Sequence, residues 1–179
     1  MSEAKPRRIV ILGFMGAGKT TVARALAQQL NSQMTDLDAM IVAREQRDIS
    51  DLIREEGEAQ FRNKESYLLR IVLEGKSTRI IALGGGTWTI EKNRSLLAQH
   101  ECVTIWLDAP FELCWKRITN EEVVRPLALD RKISYELYLK RRPLYELAAW
   151  QVGVTEERSA DELASEIINL LRRERHLKH

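Results

Sequence analysis

The sequence predicts an α/β protein: a three-layer fold in which a five-stranded parallel sheet is flanked by helices. Three observations carry this. Short apolar runs that read as buried strands alternate with segments whose apolar residues recur at helical spacing. The first strand runs into a glycine-rich turn, Gly13-Phe14-Met15-Gly16-Ala17-Gly18-Lys19-Thr20, which opens directly into a helix. No internal repeat, low-complexity tract or linker divides the 179 residues, a length that suits a single domain with a sizeable core.

Residues 8–12 hold Ile9-Val10-Ile11-Leu12, a continuous apolar run suited to a strand buried on both faces. Val22, Ala23, Leu26, Ala27 and Leu30 mark a helix over 19–30, and Asn31-Ser32 stops it. Residues 33–36 read as a short second strand; if the chain stays extended beyond it, Asp36 and Asp38 share a face. Ser50 is placed as the N-cap of a short helix ending near Gly57. A longer helix is expected over 59–73, where Phe61, Leu68, Leu69 and Val72 are apolar. Residues 79–83 form a third strand that runs into Gly84-Gly85-Gly86. Residues 93–99 read as helical, and 102–107 as a fourth strand apolar enough to be central. Pro110 suits the first turn of a helix over 111–118.

Residues 119–130 lack apolar periodicity, carry the adjacent acids Glu121 and Glu122, and read mostly as a mobile loop. A helix over 134–141 follows, which Pro143 restarts or kinks. Residues 150–154 form a weak fifth strand. Ser159 and Glu162 have capping-box spacing for a last helix over 160–173, and the charged tail 172–179 reads as frayed. Strands joined by helical crossovers make a parallel sheet covered on both faces. The segments 38–73 and 119–130 then become insertions at its carboxyl edge, where such sheets bind ligands.

Hydrophobic residues make up 44% and charged residues 30%, as in an ordinary soluble globular protein. A net charge of +2 implies no strong pull toward nucleic acid or membrane. Cys102 and Cys114 lie in apolar segments without metal-ligand spacing, and read as reduced core residues of an intracellular protein. The polar, basic start and the short strand after it suit neither a signal peptide nor a membrane span. A cytoplasmic protein is expected.

The glycine turn matches G-x-x-x-x-G-K-[ST], the phosphate-binding P-loop, in its strand-to-helix setting. Inward-facing backbone N–H groups and a helix N-terminus make an anion site there. Lys19 reaches the β- and γ-phosphates of a nucleotide and Thr20 can ligate Mg²⁺. A GTPase would add an Asn-Lys-x-Asp run, and none occurs. Asp108, after Ile105-Trp106-Leu107, is either the acid of a Walker B strand or a turn residue before Pro110; the turn is favoured. Three other features point to a small-molecule kinase. Asp36-x-Asp38 offers one carboxylate for Mg²⁺ and one for an acceptor hydroxyl. Gly84-Gly85-Gly86 exposes backbone N–H groups after a strand. Arg62, Arg125 and Arg141 stand in loops or at element ends on the ligand side.

These residues carry a resemblance. The run Gly-Phe-Met-Gly-Ala-Gly-Lys-Thr, Asp36-Leu37-Asp38, Gly57-Glu58 followed by Phe61-Arg62-x-x-Glu65, the glycine triplet, Asn93-Arg94, Arg125-Pro126-Leu127 and Arg141-x-Pro143-Leu144-Tyr145 occur in the order and at the near spacing of shikimate kinases. The chain resembles that family over 9–171. The resemblance implies a P-loop kinase fold with a substrate-binding segment at 38–73 and a lid at 119–130. It implies transfer of the γ-phosphoryl of ATP, with Mg²⁺, to the 3-hydroxyl of shikimate, on the route to chorismate and the aromatic amino acids. It implies a monomer whose partners are ATP and shikimate.

By matching motif, Gly16, Ala17, Gly18, Lys19, Thr20 and Thr21 would hold the nucleotide phosphates, with Arg117 against adenine. Arg125 would reach the phosphates from the lid. Asp38 would orient the acceptor hydroxyl, its service as a base left open. Arg62 and Arg141 would clamp the carboxylate beside Phe61, and Gly84, Gly85 and Gly86 would line the substrate site. Thr20 and Asp36 would hold Mg²⁺, the latter through water. The chain departs from the family at Val42, where a glutamate is usual, in an acidic lid stretch without glycine, and in a weak match over 154–161. A kinase for gluconate or a nucleoside monophosphate would need another acceptor pocket. A regulatory module without turnover would most simply lack Lys19, Asp38 or Arg125, and all three are present.

Overall fold

The computed structural model describes residues 7–75, 77–120 and 130–177. In chain order these form β1 (Ile9–Leu12), α1 (Lys19–Gln29), β2 (Met34–Asp36), α2 (Leu37–Glu45), α3 (Ile49–Glu56), α4 (Glu58–Glu74), β3 (Ile80–Ala82), a 3₁₀ turn (Thr87–Thr89), α5 (Glu91–Gln99), β4 (Val103–Asp108), α6 (Phe111–Asn120), α7 (Arg131–Tyr145), β5 (Trp150–Gly153) and α8 (Ala160–Leu177). The five strands make one sheet in the order β2-β3-β1-β4-β5, with each neighbouring pair parallel. β1 is central: Ile9 aligns with Ile80 on one side and with Val103 on the other. Its four side chains are almost wholly buried, as an apolar strand covered on both faces must be.

The connections set the position of the site. The chain leaves β1 toward β2 at one edge, and leaves β3 toward β4 across β1. The crevice outside the carboxyl ends of β1 and β3 is therefore the switch point of the sheet. A glycine loop follows each of these two strands, Gly13–Gly18 after β1 and Gly84–Gly86 after β3. α1 turns Val22, Ala23, Leu26 and Ala27 inward and packs against α8. The alanines on that face let the helix approach closely.

Several expectations are corrected. The chain does not stay extended after Asp36. It enters α2 at Leu37, with the Asp36 side chain accepting from the Ala39 N–H, so Asp36 and Asp38 are not strand neighbours on one face. A local cap overrides strand alternation there. α3 starts at Ile49, so Ser50 lies inside the helix and Asp48 takes the N-cap position. Residues 119 and 120 complete α6 rather than opening a loop. α7 begins earlier than expected and runs through Pro143, in its last turn, where only one helical donor is lost. α8 continues to Leu177. The acids Glu121 and Glu122, the arginine Arg125 and most of the expected lid lie outside the described residues.

Candidate active site

The two glycine loops share one cleft of about 1110 Å³ at the carboxyl edge of the sheet. The P-loop half follows from local constraint. Gly16 takes φ 76°, in the left-handed region, and a Cβ there would stand 2.6 Å from the Cys114 carbonyl oxygen. α6 thus packs on the loop so tightly that glycine is required twice over. Arg117, also on α6, donates to the Gly16 carbonyl at 3.2 Å and lies beside Gly18. Lys19 bends back to donate to the Phe14 carbonyl at 2.9 Å, which holds its ammonium across the loop. Thr20 donates its hydroxyl to Asp36 Oδ2, while Asp36 Oδ1 caps α2. One carboxylate thereby ties the start of α1 to the start of α2.

Around the second glycine loop, three candidate site side chains face three successive glycines. A Cβ on Gly84 would lie 2.6 Å from Asp38 Oδ1, one on Gly85 would lie 3.4 Å from an Arg141 guanidinium nitrogen, and one on Gly86 would lie 2.5 Å from the Arg62 guanidinium carbon. None of these glycines has positive φ. They are small because side chains fill the space above them. A Cβ on Gly85 would also lie 3.4 Å from the Met15 nitrogen, so this loop packs against the P-loop.

Arg62 sits in the first half of α4. It pairs with Glu65 at 2.5 Å and with Glu58 at 3.0 Å, at the helical spacings that bring such pairs together. Burial works against its charge, but the two carboxylates outweigh burial and push its pKa up. Its guanidinium also lies 5.1 Å from the centre of the Phe61 ring, which is buried. Arg141 is 7% exposed, and its charge acts on the Tyr145 hydroxyl. Burial pushes that hydroxyl up to about 12, with Arg141 opposing.

Every site residue expected from the sequence within the described residues lines this cleft: Gly16, Ala17, Gly18, Lys19, Thr20, Thr21, Asp36, Asp38, Phe61, Arg62, Gly84, Gly85, Gly86, Arg117 and Arg141. Arg125 lies outside them. Asp108 lies at the end of β4 and is held by Arg142, whose guanidinium donates to both carboxylate oxygens, at 2.6 and 2.9 Å. Gln151 donates to Asp108 as well. The favoured turn reading becomes a structural one: the acid ties α7 to the sheet.

Glu65 went unassigned in the sequence. It is fully buried, accepts from the Thr87 hydroxyl at 2.6 Å and braces Arg62. The signal was an acid at helical spacing from Arg62 on the apolar face of α4. Tyr145 also went unassigned, and only its tertiary contacts give it meaning. Val154, Ala160 and Leu163 add apolar wall to the cleft, and Arg158 lines it as well.

Among the described residues no group of three or more histidine, cysteine or acidic side chains could hold a metal alone. That suits Mg²⁺ beside a nucleotide, which takes one or two protein oxygens and completes its shell with water and phosphate. Thr20 and Asp36, in contact at the edge of the P-loop, fit that donor set.

The shikimate kinase family model matches residues 15–172. A shikimate kinase of Enterococcus faecalis is 40% identical over 167 residues, covering 92% of this chain and 98% of the relative. One of Ruegeria pomeroyi is 36% identical over 173 residues, covering 95% and 87%. The solved structure of shikimate kinase from Acinetobacter baumannii in complex with shikimate superposes with a TM-score of 0.86 at 33% identity, over 94% of each chain.

Proposed function

The chain belongs to the shikimate kinase family, and we propose that its cleft transfers the γ-phosphoryl group of ATP to the 3-hydroxyl of shikimate. The observation that carries this is the facing of Asp38, Arg141 and Arg62 onto Gly84, Gly85 and Gly86, beside the P-loop. It joins a carboxylate for a hydroxyl, two guanidiniums for a carboxylate and a phosphate cradle in one cleft.

The roles follow from charge and reach. The P-loop amides, Lys19 and Thr21 hold the phosphates, and Lys19 meets the charge that spreads over the moving phosphoryl group. Arg117 flanks the adenine. Thr20 and Asp36 would hold Mg²⁺, which would neutralise the negative charge that develops as the phosphoryl group moves. Asp38 accepts the acceptor hydroxyl's proton contact and aims its oxygen at the γ-phosphorus, since a loose phosphoryl transfer depends mainly on position and charge. Arg62 and Arg141 grip the carboxylate, with Phe61 against the ring. Hydroxyls alone bind weakly because each contact replaces one made to water, so the carboxylate fixes orientation. The run Arg125-Pro126-Leu127 assigns Arg125 to the phosphates, and the segment 38–73 serves the acceptor. In this reading the chain is a single-domain cytoplasmic monomer, as the family resemblance implies.

The test is ADP release with shikimate, its carboxamide and gluconate as acceptors, on the parent, Arg62→Lys and Arg141→Lys. The carboxamide should lose about 2–5 kcal/mol of kcat/KM, the scale of removing one partner of a buried charge pair. Both lysine variants should fall with shikimate, because an ammonium lacks the planar fork. A carboxamide that performs as well as shikimate, or gluconate outperforming both, overturns the assignment.

A further inference from the structure

The loop after β3 and the last turn of α7 are stapled to each other in both directions. The Trp88 indole N–H donates to the Leu144 carbonyl at 2.7 Å. The Tyr145 hydroxyl donates to the Gly85 carbonyl at 2.5 Å. Each side chain closes on the backbone of the other segment, and both rings are buried. Asn93 and Arg94 brace the same loop from α5 by donating to the carbonyls of Thr87, Trp88 and Thr89. Arg141 lies one helical turn before Tyr145, close enough for its charge to act on that hydroxyl, and is set over Gly85. The helix lacks one of its own bonds at this turn, because Pro143 supplies no N–H to the Leu139 carbonyl. The two staples replace that restraint with one from the loop itself.

We propose that Trp88 is a positioning residue for acceptor recognition: its bond to Leu144, paired with the Tyr145 bond to Gly85, fixes the Arg141 guanidinium over the glycine loop. This rests on Arg141 as a carboxylate-binding residue. Trp88 is not among the residues that line the cleft and acts through the backbone that carries Arg141. Its indole nitrogen is the functional atom, and its bulk is the packing atom set.

The experiment separates these. Trp88→Phe keeps an aromatic ring and removes the N–H. It should raise KM for shikimate about fivefold or more, the scale of one lost buried hydrogen bond, while kcat and KM for ATP stay within about twofold. Tyr145→Phe breaks the opposite staple and should give the same split. In an Arg141→Lys background, Trp88→Phe should add less than about twofold, because the two act on one interaction. An unchanged shikimate KM in Trp88→Phe, with Arg141→Lys impaired, overturns the positioning role and leaves the carboxylate reading standing. Full additivity in the double variant, or equal loss toward ATP, overturns it too. An Arg141→Lys enzyme with parental shikimate KM sinks the carboxylate reading, and the proposal with it. Should Trp88→Phe not fold, the Tyr145→Phe variant and its combination with Arg141→Lys decide by the same criteria.

Discussion

At the residue scale, Gly84 is a glycine for want of room. Its backbone lies outside the left-handed region, yet a Cβ would stand 2.6 Å from Asp38 Oδ1 and 2.7 Å from Glu65 Oε1. Real Cβ atoms do not approach that closely, so both carboxylates must give way, Asp38 at the shorter distance. Gly84→Ala should therefore resemble Asp38→Asn, one by displacement and the other by loss of charge. Each should lower kcat by about a hundredfold or more, the usual reach of a positioned acid or base, with KM for ATP little changed. Gly153→Ala is the control, since nothing lies within 4 Å of a Cβ there. Steady-state kinetics on the three variants checks this. Near-parental kcat in Gly84→Ala would show that Asp38 has room to spare.

At the element scale, α8 is held at its start by a reciprocal cap. The Glu162 carboxylate accepts from the Ser159 N–H at 2.7 Å, and the Ser159 hydroxyl accepts from the Glu162 N–H at 3.2 Å. The Ser159 amide, and then its hydroxyl, hold the Glu162 carboxyl below the usual carboxylate range. A depressed folded pKa contributes stability that is fully present above the unfolded value of about 4.3 and is lost as pH falls through the folded one. Glu162→Gln should thus melt earlier than the parent at pH 7, and the gap should close as pH drops toward 3. Thermal melts of both proteins across that range provide the measurement, and a gap independent of pH would assign the effect to something other than the charged cap. The element matters to function because Ala160 and Leu163, in its first turns, line the cleft.

At the scale of the whole molecule, the site is assembled by ties between distant elements. Asp108 at the end of β4 receives both guanidinium nitrogens of Arg142, the neighbour of Arg141 on α7. The Arg142 guanidinium also lies 4.9 Å from the centre of the Trp106 ring. Asp108→Asn weakens this tie and touches no phosphate ligand. It should lower stability by about 1–2 kcal/mol, the worth of a charge-assisted hydrogen bond, and so lower the Tm by about 2–8 °C for a chain of this size. The Mg²⁺ concentration for half-maximal activity should stay at the parental value. A large rise in that requirement, with an unchanged Tm, would return Asp108 to the role of a metal-side acid.

The sequence by itself determined the strand–loop–helix at 9–29, the alternation that makes the sheet parallel, and the family to which the chain belongs. These are local signals: an apolar run, a glycine spacing, a cap, a motif read within a few residues. It also named most of the cleft, because Lys19, Asp38, Arg62 and Arg141 stand in short patterns that keep their meaning wherever the chain goes. It did not determine that Asp36 ends its strand by capping a helix, since extension and capping compete for the same side chain and the Ala39 N–H decides between them. Nor did it separate Asp108 the turn residue from Asp108 the metal acid, because the partner that decides, Arg142, lies 34 residues away. Glu65 and Trp88 read as one more charge and one more aromatic until α4, the β3 loop and α7 are brought together. Their roles depend on bonds between segments that no local pattern encodes, and only the tertiary structure supplies those distances.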